Sequence, residues 1–481
     1  MVEKVFLYLY VLSLPLIGLG VFKACWGLEL GVGIIPAYII AIALGYILLV
    51  KSLYLADKKH GITVIPSAVN GVLLLFFTVL AASSVMSFFV PDSEFRGEIL
   101  FLKSLKQIAF WGFMIFNYFI LILTIRDIKR FKMVLTVHIM TSFFVSIFGI
   151  LQILNSILNI PWINTINEYF STSESMLSSI SNLSFADYIS NLGRVRSTTP
   201  EPLVFANYLL TAIPFIFANM IAKKKFLLIP NWFNMVILIT TTTTFILTFS
   251  KGGYLALIMG FSIMLATTWH YGNIRKILKY LFIVIALIPV IYYLIIVQYM
   301  EIEEGPILFL DNIIQMREIF SGGSSSENLS VLTKWFSMIA ALKMFLYYPV
   351  LGVGIGNYIY YYYDFAPFGG EIAQFDLPTA NNIFLQIFSE TGILGGGLFL
   401  LVIWFHVRKI KVIPRNITQA RSIRWAFIFS GSAVLVQLLS VSAYTWPHLW
   451  FLMALIATYK DILHNEMDEK SFGSPVSREF S

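Results

Sequence analysis

The chain is poor in charged residues and has almost no cysteine. Only 12% of its 481 residues are Asp, Glu, Lys or Arg, against about 25% in ordinary soluble domains. The single cysteine, Cys25, excludes an intramolecular disulfide, so cysteine usage indicates no redox compartment. The histidines lack metal-ligand spacing, and neither a Walker-type phosphate loop nor a dinucleotide-binding glycine pattern occurs. The sequence therefore predicts no metal and no cofactor.

Long apolar segments are the main feature that the sequence does have. Hydrophobic residues make up 58% of the chain, and runs of about 20 residues are long enough to cross a bilayer as helices. They are too long, and do not alternate as required, for the strands of a membrane barrel. We expect an all-α, polytopic membrane protein with one membrane domain, residues 1–462. Twelve spans are predicted, at 5–22, 31–50, 68–90, 106–125, 133–154, 202–221, 228–248, 253–269, 280–299, 382–403, 425–443 and 447–462.

Basic residues are concentrated in alternate loops. With the N-terminus in the cytoplasm, the predicted inner loops hold nearly twice as many Lys and Arg as the longer outer loops. This bias predicts that both termini are cytoplasmic, including a polar tail at 463–481 that we expect to be disordered. The net charge of +7 is then mainly a topology signal, and it gives no reason to expect nucleic acid as a partner.

Two long outer loops are predicted, at about 155–200 and at about 300–380, the latter between the ninth and tenth spans. Loops of this length are uncommon unless they are functional or disordered. The first ends in Arg194 and Arg196, whose guanidinium groups suit phosphate oxygens. Lys251 lies in a tight turn between two spans, where an ionisable residue is a functional candidate. The alternatives are two surface arginines at a helix entry and a lysine that snorkels to the interface.

The most specific pattern is the order of short motifs between Lys334 and Gly396. The motifs are Lys334-Trp335, Tyr348-Pro349-Val350-Leu351-Gly352-Val353-Gly354, Pro378-Thr379-Ala380-Asn381-Asn382 and Ser389-Glu390-Thr391-Gly392. This order resembles the signature loop and following helix of the O-antigen ligase and Wzy-type O-antigen polymerase superfamily. Those integral membrane enzymes transfer glycans from a polyprenyl-diphosphate carrier. The resemblance extends over residues 194–396.

The resemblance implies roles for several residues. Arg196 and Lys251 would clamp the diphosphate, and Arg194, Lys334 and Asn382 would complete the substrate-binding set. Glu201 would be a carboxylate that either lies in the acceptor site or supports the residues that do, since the phrase Glu201-Pro202-Leu203-Val204-Phe205 is similar to the polymerase branch.

The sequence departs from the family pattern where many members place a histidine as the proposed base. Asn381 occupies that position, and an amide can orient a hydroxyl but cannot take a proton near neutral pH. Glu201, Asp376 and His448 remain as alternative bases, and loss of activity is also left open. A second departure is Val331, where many members have an arginine that Lys334 would replace.

We therefore expect a polymerase of lipid-linked repeat units at the outer face of a bacterial inner membrane. Glu201, Asn381 and His448 are the catalytic candidates. A ligase is the first alternative and a polysaccharide flippase or exporter the second. The expected partners are a polyprenyl-diphosphate-linked oligosaccharide, membrane lipid, and chain-length regulator and flippase proteins.

Overall fold

The protein is helical in nearly all the residues described by a computed structural model. These residues are 2–26, 34–56, 68–89, 94–95, 98–158, 160–170, 194–268, 326–367, 379–415 and 417–472. The helices before the first long loop are α1 (Val2–Ser13), α2 (Val21–Trp26), α3 (Pro36–Ala56), α4 (Ala68–Ser83), α5 (Leu100–Thr124) and α6 (Ile128–Leu158). The helices from that loop onward are α7 (Pro161–Tyr169), α8 (Pro202–Leu210), α9 (Ile213–Ile221), α10 (Asn231–Ile246), α11 (Lys251–Thr268), α12 (Ser326–Tyr347), α13 (Tyr358–Phe365), α14 (Ile383–Val412), α15 (Thr418–Gln437) and α16 (Pro447–Phe472).

The remaining regular elements are short. Two 3-10 helices occupy Leu16–Gly18 and Ser84–Phe89. Two strands, β1 (Glu94–Phe95) and β2 (Glu98–Ile99), pair antiparallel. Neither pair of elements changes the class, which is all-α.

Seven helical segments among the described residues are long and apolar enough to cross a membrane. They are Pro36–Leu53, Ala68–Phe88, Leu100–Thr124, Ile128–Asn155, Pro202–Ile221, Lys251–Thr268 and Ile383–Val412. The predicted class, an all-α polytopic membrane protein, is confirmed. The span predicted at 280–299 lies outside the described residues, so the count of twelve stays a prediction, as does the orientation.

Apolar side chains cover the outside of the bundle as well as its interior. On α3, Ile42, Leu49 and Leu53 are 56%, 57% and 67% exposed. A row of this kind on one helix would be unfavourable in water, whereas lipid tails solvate it without cost. Polar groups turn inward instead, and Asn117, Thr124 and other polar side chains of the long helices are buried.

Helices α8 and α9 form the centre of the bundle, and every residue of the segment 204–221 is buried inside the protein. Around it, α11 and α15 approach closely because a small residue lies at their crossing. A Cβ added at Gly260 would lie 2.7 Å from Ala433 Cβ and 2.8 Å from the Phe429 carbonyl oxygen. Small residues at helix crossings are typical of packing inside membranes, where van der Waals contact replaces the hydrophobic effect.

The two predicted outer loops contain helical structure. In the first, α7 and the segment 194–200 are described, and 171–193 lie outside the described residues. In the second, α12 and α13 are described, and 269–325 and 368–378 lie outside the described residues. Helix α16 continues to Phe472, so the first part of the expected tail is helical. Residues 473–481 lie outside the described part.

Helix α14 is broken at Gly392, which has φ 61° and ψ −160°. A Cβ at this position would lie 2.2 Å from the Val350 carbonyl oxygen. The backbone N–H that follows the break, at Ile393, donates to the Pro349 carbonyl at 2.8 Å. Glycine is therefore required both for the left-handed backbone and for the close approach of the loop before Gly352.

We expect Gly392→Ala to destabilise the protein and Gly397→Ala, five positions later on α14, to leave its stability unchanged or raised. The left-handed conformation alone costs a residue with a Cβ about 1–2 kcal/mol, and the clash with Val350 adds to this cost. A Cβ at Gly397 meets nothing within 4 Å and gains about 0.5–1 kcal/mol of helix propensity. Thermal unfolding in detergent, followed by tryptophan fluorescence, measures both. Equal midpoints for the two variants would contradict this account of the break.

Candidate functional site

The signature loop, residues 349–357, is fixed to the first half of α14 by backbone hydrogen bonds. The N–H groups of Val353 and Gly354 donate to the carbonyls of Ser389 and Glu390, each at 2.9 Å. The break at Gly392 ends the first half of α14 and so releases these carbonyls from intrahelical bonding. The loop therefore satisfies backbone acceptors that would otherwise be left without partners inside the protein.

Glu390 holds the same loop with its side chain. It is only 4% exposed, and its carboxylate accepts from the Gln386 amide at 3.1 Å and from the backbone N–H groups of Gly356 and Tyr358. A buried carboxylate is tolerated when several donors surround it. Glu390 belongs to the motif Ser389-Glu390-Thr391-Gly392, but no role was predicted for it from the sequence. Its position beside Gly392, at the helix break, is the signal that could have identified it.

Asn357 joins the end of the loop to two more elements. Its amide donates to Ser87 Oγ at 3.0 Å and to the Val353 carbonyl at 2.9 Å, and its carbonyl accepts from Ser104 Oγ at 2.9 Å. Ser87 belongs to the 3-10 helix after α4, and Ser104 to the first turns of α5. The signature loop is thus a structural junction between α4, α5, α12 and α14.

The segment 194–200 is fixed against α6 in a similar way. Ser197, with φ 53°, exchanges hydrogen bonds with the Gln152 side chain in both directions, at 2.8 and 2.9 Å. Its hydroxyl donates to the Val145 carbonyl at 2.6 Å. The Val195 N–H donates to the Leu247 carbonyl at 3.0 Å, which brings this segment beside the end of α10. A firm backbone here fixes the position of the arginine on each side of Val195.

Arg194 and Lys251 lie at the same turn between α10 and α11. Arg194 donates from Nε to the Thr248 carbonyl and from Nη2 to the Phe249 carbonyl, both at 3.2 Å. Ser250 caps α11 by accepting from the Gly253 N–H at 3.2 Å, and Lys251, which is exposed, is the first residue of that helix. The turn therefore presents a lysine at a helix N-terminus beside an arginine, where two cations and the helix dipole favour an anion.

Gly252 allows this turn to pack tightly. A Cβ there would lie 2.7 Å from Ser440 Oγ. Ser440 follows α15, so the N-terminus of α11 and the C-terminus of α15 meet at the same level. The glycine pair Gly252-Gly253 is used for helix packing in this conformation.

Lys334 completes the cluster from the other long loop. It lies on α12 with its side chain exposed, yet desolvation by the surrounding chain and the positive charges of Arg194 and Lys251 lower its pKa, while the charge of Glu201 raises it. Four residues predicted separately from the sequence therefore lie within electrostatic range of one another. Glu201 is half-buried and immediately precedes α8.

Arg196 is placed differently from Arg194. It is 3% exposed, and its guanidinium donates to the carbonyls of Phe170, Asn167 and Thr199 at 3.0, 3.1 and 3.3 Å. Burial lowers its pKa to about 10, so it remains charged near neutral pH. These bonds connect the segment 194–200 to the end of α7. A diphosphate could reach Arg196 only by replacing carbonyl partners.

The two asparagines before α14 have separate roles in the structure. The Asn382 side chain caps the helix, since its Oδ1 accepts from the N–H groups of Phe384 and Leu385 at 3.0 and 3.1 Å. Asn381 is half-buried with φ 49°, and its amide donates to the Thr379 carbonyl at 3.2 Å. Asn382 is therefore occupied by the helix terminus, and Asn381 is the more accessible amide of the pair.

His448, near the start of α16, is fully buried and packs against Tyr208 of α8. Its Nε2 lies 2.9 Å from Asn207 Oδ1, and the Asn207 amide donates to Gln437 Oε1 at 2.9 Å. The Gln437 amide donates in turn to the Leu203 carbonyl at 3.2 Å, in the first turn of α8. His448 thus lies at the end of a buried polar chain that reaches the helix begun after Glu201. The third base candidate, Asp376, lies outside the described residues.

We expect the pKa of Lys334 to change when a neighbouring charge of the cluster is removed. Lys251→Gln removes a charge that lowers the Lys334 pKa, and Glu201→Gln removes one that raises it. Acylation of Lys334 should therefore move to higher pH in the first variant and to lower pH in the second. Mass spectrometry of peptides from protein acylated over a range of pH measures this. Lys343, exposed on the same helix, is the internal control, and identical Lys334 profiles in both variants would contradict the clustering.

One family model matches the chain, the Wzy_C model described as O-antigen ligase, over residues 235–400. The matched region contains Lys251, Lys334, the two asparagines and Glu390, whereas Arg194, Arg196, Glu201 and His448 lie outside it. No curated protein matches the chain. Over residues 235–400 the resemblance to the O-antigen ligase and Wzy superfamily that the motif order indicated is confirmed.

Proposed function

We propose that the chain is a membrane polymerase that joins polyprenyl-diphosphate-linked oligosaccharide repeat units at the outer face of the bacterial inner membrane. Both termini would be cytoplasmic. The observation that carries the proposal is that Arg194, Lys251 and Glu201 all lie within electrostatic range of Lys334. The cluster lies where α8 and α11 begin, which the charge asymmetry predicts to be the outer side.

Glycosyl transfer from a lipid diphosphate needs cations at the leaving group, because negative charge builds on the diphosphate as the glycosyl bond breaks. Lys251 and Lys334 are exposed lysines, and the N-terminus of α11 adds its dipole. The lowered pKa of Lys334 indicates that this amine would gain from a nearby anion. An incoming diphosphate would relieve the repulsion among the three cations.

The attacking sugar hydroxyl needs an acceptor for its proton. Glu201 is a carboxylate within electrostatic range of Lys334, so we assign it the role of general base. Asn381, with an accessible amide, would orient the hydroxyl, and Asn382 would act through the position of α14. His448 is buried within a hydrogen-bonded chain, so any part in catalysis would be indirect. Arg196 would support the site by holding the segment 194–200.

A ligase, which transfers the finished glycan to a lipid or protein acceptor, is the second candidate. The matching family model carries that description, and this favours it. The phrase beginning at Glu201 is similar to the polymerase branch and favours the first candidate. Chain-length regulators and a flippase are the protein partners that a polymerase would need.

Mass spectrometry of the glycans of a deletion strain distinguishes the candidates, with the same strain complemented by the wild-type gene as the control. Loss of long chains with retained single repeats supports the polymerase. Retained long chains on the lipid carrier would assign a ligase instead, and repeat units accumulating in the inner leaflet would assign a flippase.

In that strain, we expect Arg194→Gln, Lys251→Gln and Lys334→Gln each to reduce polymer formation by about 10- to 150-fold. This range corresponds to one charge-assisted hydrogen bond of about 1.5–3 kcal/mol. Lys343→Gln removes an exposed charge from the same helix as Lys334 and should leave the polymer profile unchanged. Normal polymer chain lengths from well-expressed Lys251→Gln and Lys334→Gln proteins would contradict the proposal that these lysines bind the diphosphate.

Glu201→Gln should abolish polymer formation, because it is nearly isosteric and removes only the group that accepts the proton. Asn381→Ala should cause a moderate loss, and Asn381→His, which restores the usual family residue, should be tolerated. Gel profiles at matched expression compare the three. If Glu201→Gln keeps its polymer while Asn381→Ala loses it, Glu201 is not the base.

A further inference from the structure

A cavity of about 580 Å³ opens between α14 and α15, with α16 behind it. Its volume lies within the roughly 300–1,000 Å³ of typical ligand pockets. One wall is a helical stripe of α14, and the facing wall is a stripe of α15. The α14 stripe is Phe399, Val402, Ile403, His406, Val407 and Ile410, and the α15 stripe is Phe427, Ile428, Gly431, Val434, Leu435 and Leu438.

The cavity is apolar along its length because aliphatic and aromatic side chains supply most of the lining. Gly431 widens it, since a Cβ there would meet nothing within 4 Å. At the far end from the signature loop, α14 and α15 are joined by the hydrogen bond from Arg424 Nε to the Ile410 carbonyl at 3.2 Å. At the near end, the Ile383 N–H donates to the Leu438 carbonyl at 3.1 Å. Between these two contacts the helices are separated by the cavity.

One end of this apolar cavity is basic. Lys411, Arg415 and Arg424 line it, and no Asp or Glu is present among the described residues of the lining. Lys411 and Arg415 are exposed, and Lys411 lies 5.6 Å from the centre of the Trp404 ring. The neighbouring Lys409 is different, since it pairs with Asp461 at 2.8 Å. An apolar cavity with a basic end is complementary to an amphiphile that carries an anionic head.

The basic end lies on the opposite side of the membrane from the cluster around Lys251. Helix α11 begins at Lys251, while Ile263 and Thr267, near its other end, line the cavity. At 1.5 Å per residue, Thr267 is roughly 24 Å along the helix axis from Lys251. A carrier lipid with its diphosphate at Lys251 would have its anionic group at the wrong end for Lys411 and Arg415. The concentration of Lys and Arg in this loop predicts that the basic end is cytoplasmic.

We propose that this cavity is a binding site for an anionic phospholipid of the cytoplasmic leaflet. Its phosphate would contact Lys411 and Arg415, with Arg424 behind them. An acyl chain would extend along the α14 and α15 stripes past Gly431. The lipid would fill the space between two helices that are otherwise joined mainly at their ends, and would thereby stabilise the second half of α14.

Purified, delipidated protein tests the site without any measurement of activity. The probes are dioleoylphosphatidylglycerol and, as the neutral comparison, dioleoylphosphatidylcholine. Native mass spectrometry measures retained lipid, and thermal unfolding measures the stabilisation. We expect phosphatidylglycerol to be retained more tightly and to raise the unfolding midpoint more than phosphatidylcholine.

Two variants and one control separate the contribution of the lipid head group to binding from that of the acyl chain. Lys411→Gln with Arg415→Gln should weaken phosphatidylglycerol binding by about 30-fold. Each basic residue near an anionic lipid surface contributes about 1 kcal/mol to binding, and the double variant removes two. Gly431→Leu should reduce the retention of either lipid by filling the cavity. Lys223→Gln with Lys224→Gln removes two exposed charges from another inner loop and should bind like the wild type. Equal retention of the two lipids by the wild type, or undiminished phosphatidylglycerol binding by the Lys411 and Arg415 variant, would overturn the proposal.

Discussion

The break of α14 at Gly392 is the constraint on which the rest of the site depends. Inside a bilayer, backbone groups that leave a helix ladder have no water to bind, so a broken helix survives only where protein supplies replacements. The signature loop supplies replacement donors, the N–H groups of Val353 and Gly354. Its Pro349 carbonyl accepts a hydrogen bond from the Ile393 N–H. The glycines of the loop are required because the loop lies directly against helix backbone. A Cβ at Gly352 would lie 2.4 Å from the Glu390 carbonyl carbon. The motif is therefore a docking element, and it acts on chemistry through what it positions.

What it positions is α12, which runs directly into the loop. Lys334 lies on this helix, and Tyr358, just after the loop, returns to it with a hydrogen bond to the Ser337 carbonyl at 2.7 Å. The position of Lys334 is thereby linked to Glu390 and to the break. The other members of the cluster are fixed by independent anchors, Arg194 through the Thr248 and Phe249 carbonyls and Lys251 through the Ser250 cap. The cluster thus combines two lysines on firmly held backbones with an arginine whose guanidinium is itself held, which limits the entropy that a bound anion would remove.

The sequence was informative where the physical signal is local. Apolar runs predicted the helices, and the rarity of charge in such a chain made Arg194, Lys251 and Lys334 conspicuous; the structure brings them together with Glu201. It was less informative where burial decides. Nothing in Arg194-Val195-Arg196 reveals that the second arginine faces three carbonyls, or that Asn382 serves as a helix cap. His448 was predicted as an alternative base, but no local pattern reveals that it is buried and bonded to Asn207, 241 residues earlier in the chain. Hydrogen bonds between residues that are far apart in the sequence produce no periodic pattern from which they could be predicted.

Charge is scarce in this chain, and basic side chains cluster at two opposite ends of the helices. Lys251 begins α11 on the side of the signature loop, and the positive end of the helix dipole adds to it. Lys409 and Lys411 lie in the last turn of α14, where the negative end of the dipole favours cations. Both clusters therefore lie at helix termini, where the helix dipole stabilises their charge. The same charges in the middle of an apolar span would be costly to bury. A lipid diphosphate and a phospholipid present the same anionic chemistry, and the two ends would distinguish them by the leaflet from which each lipid enters. The positive-inside rule that predicts the orientation of the chain would then also assign each lipid to its proposed site.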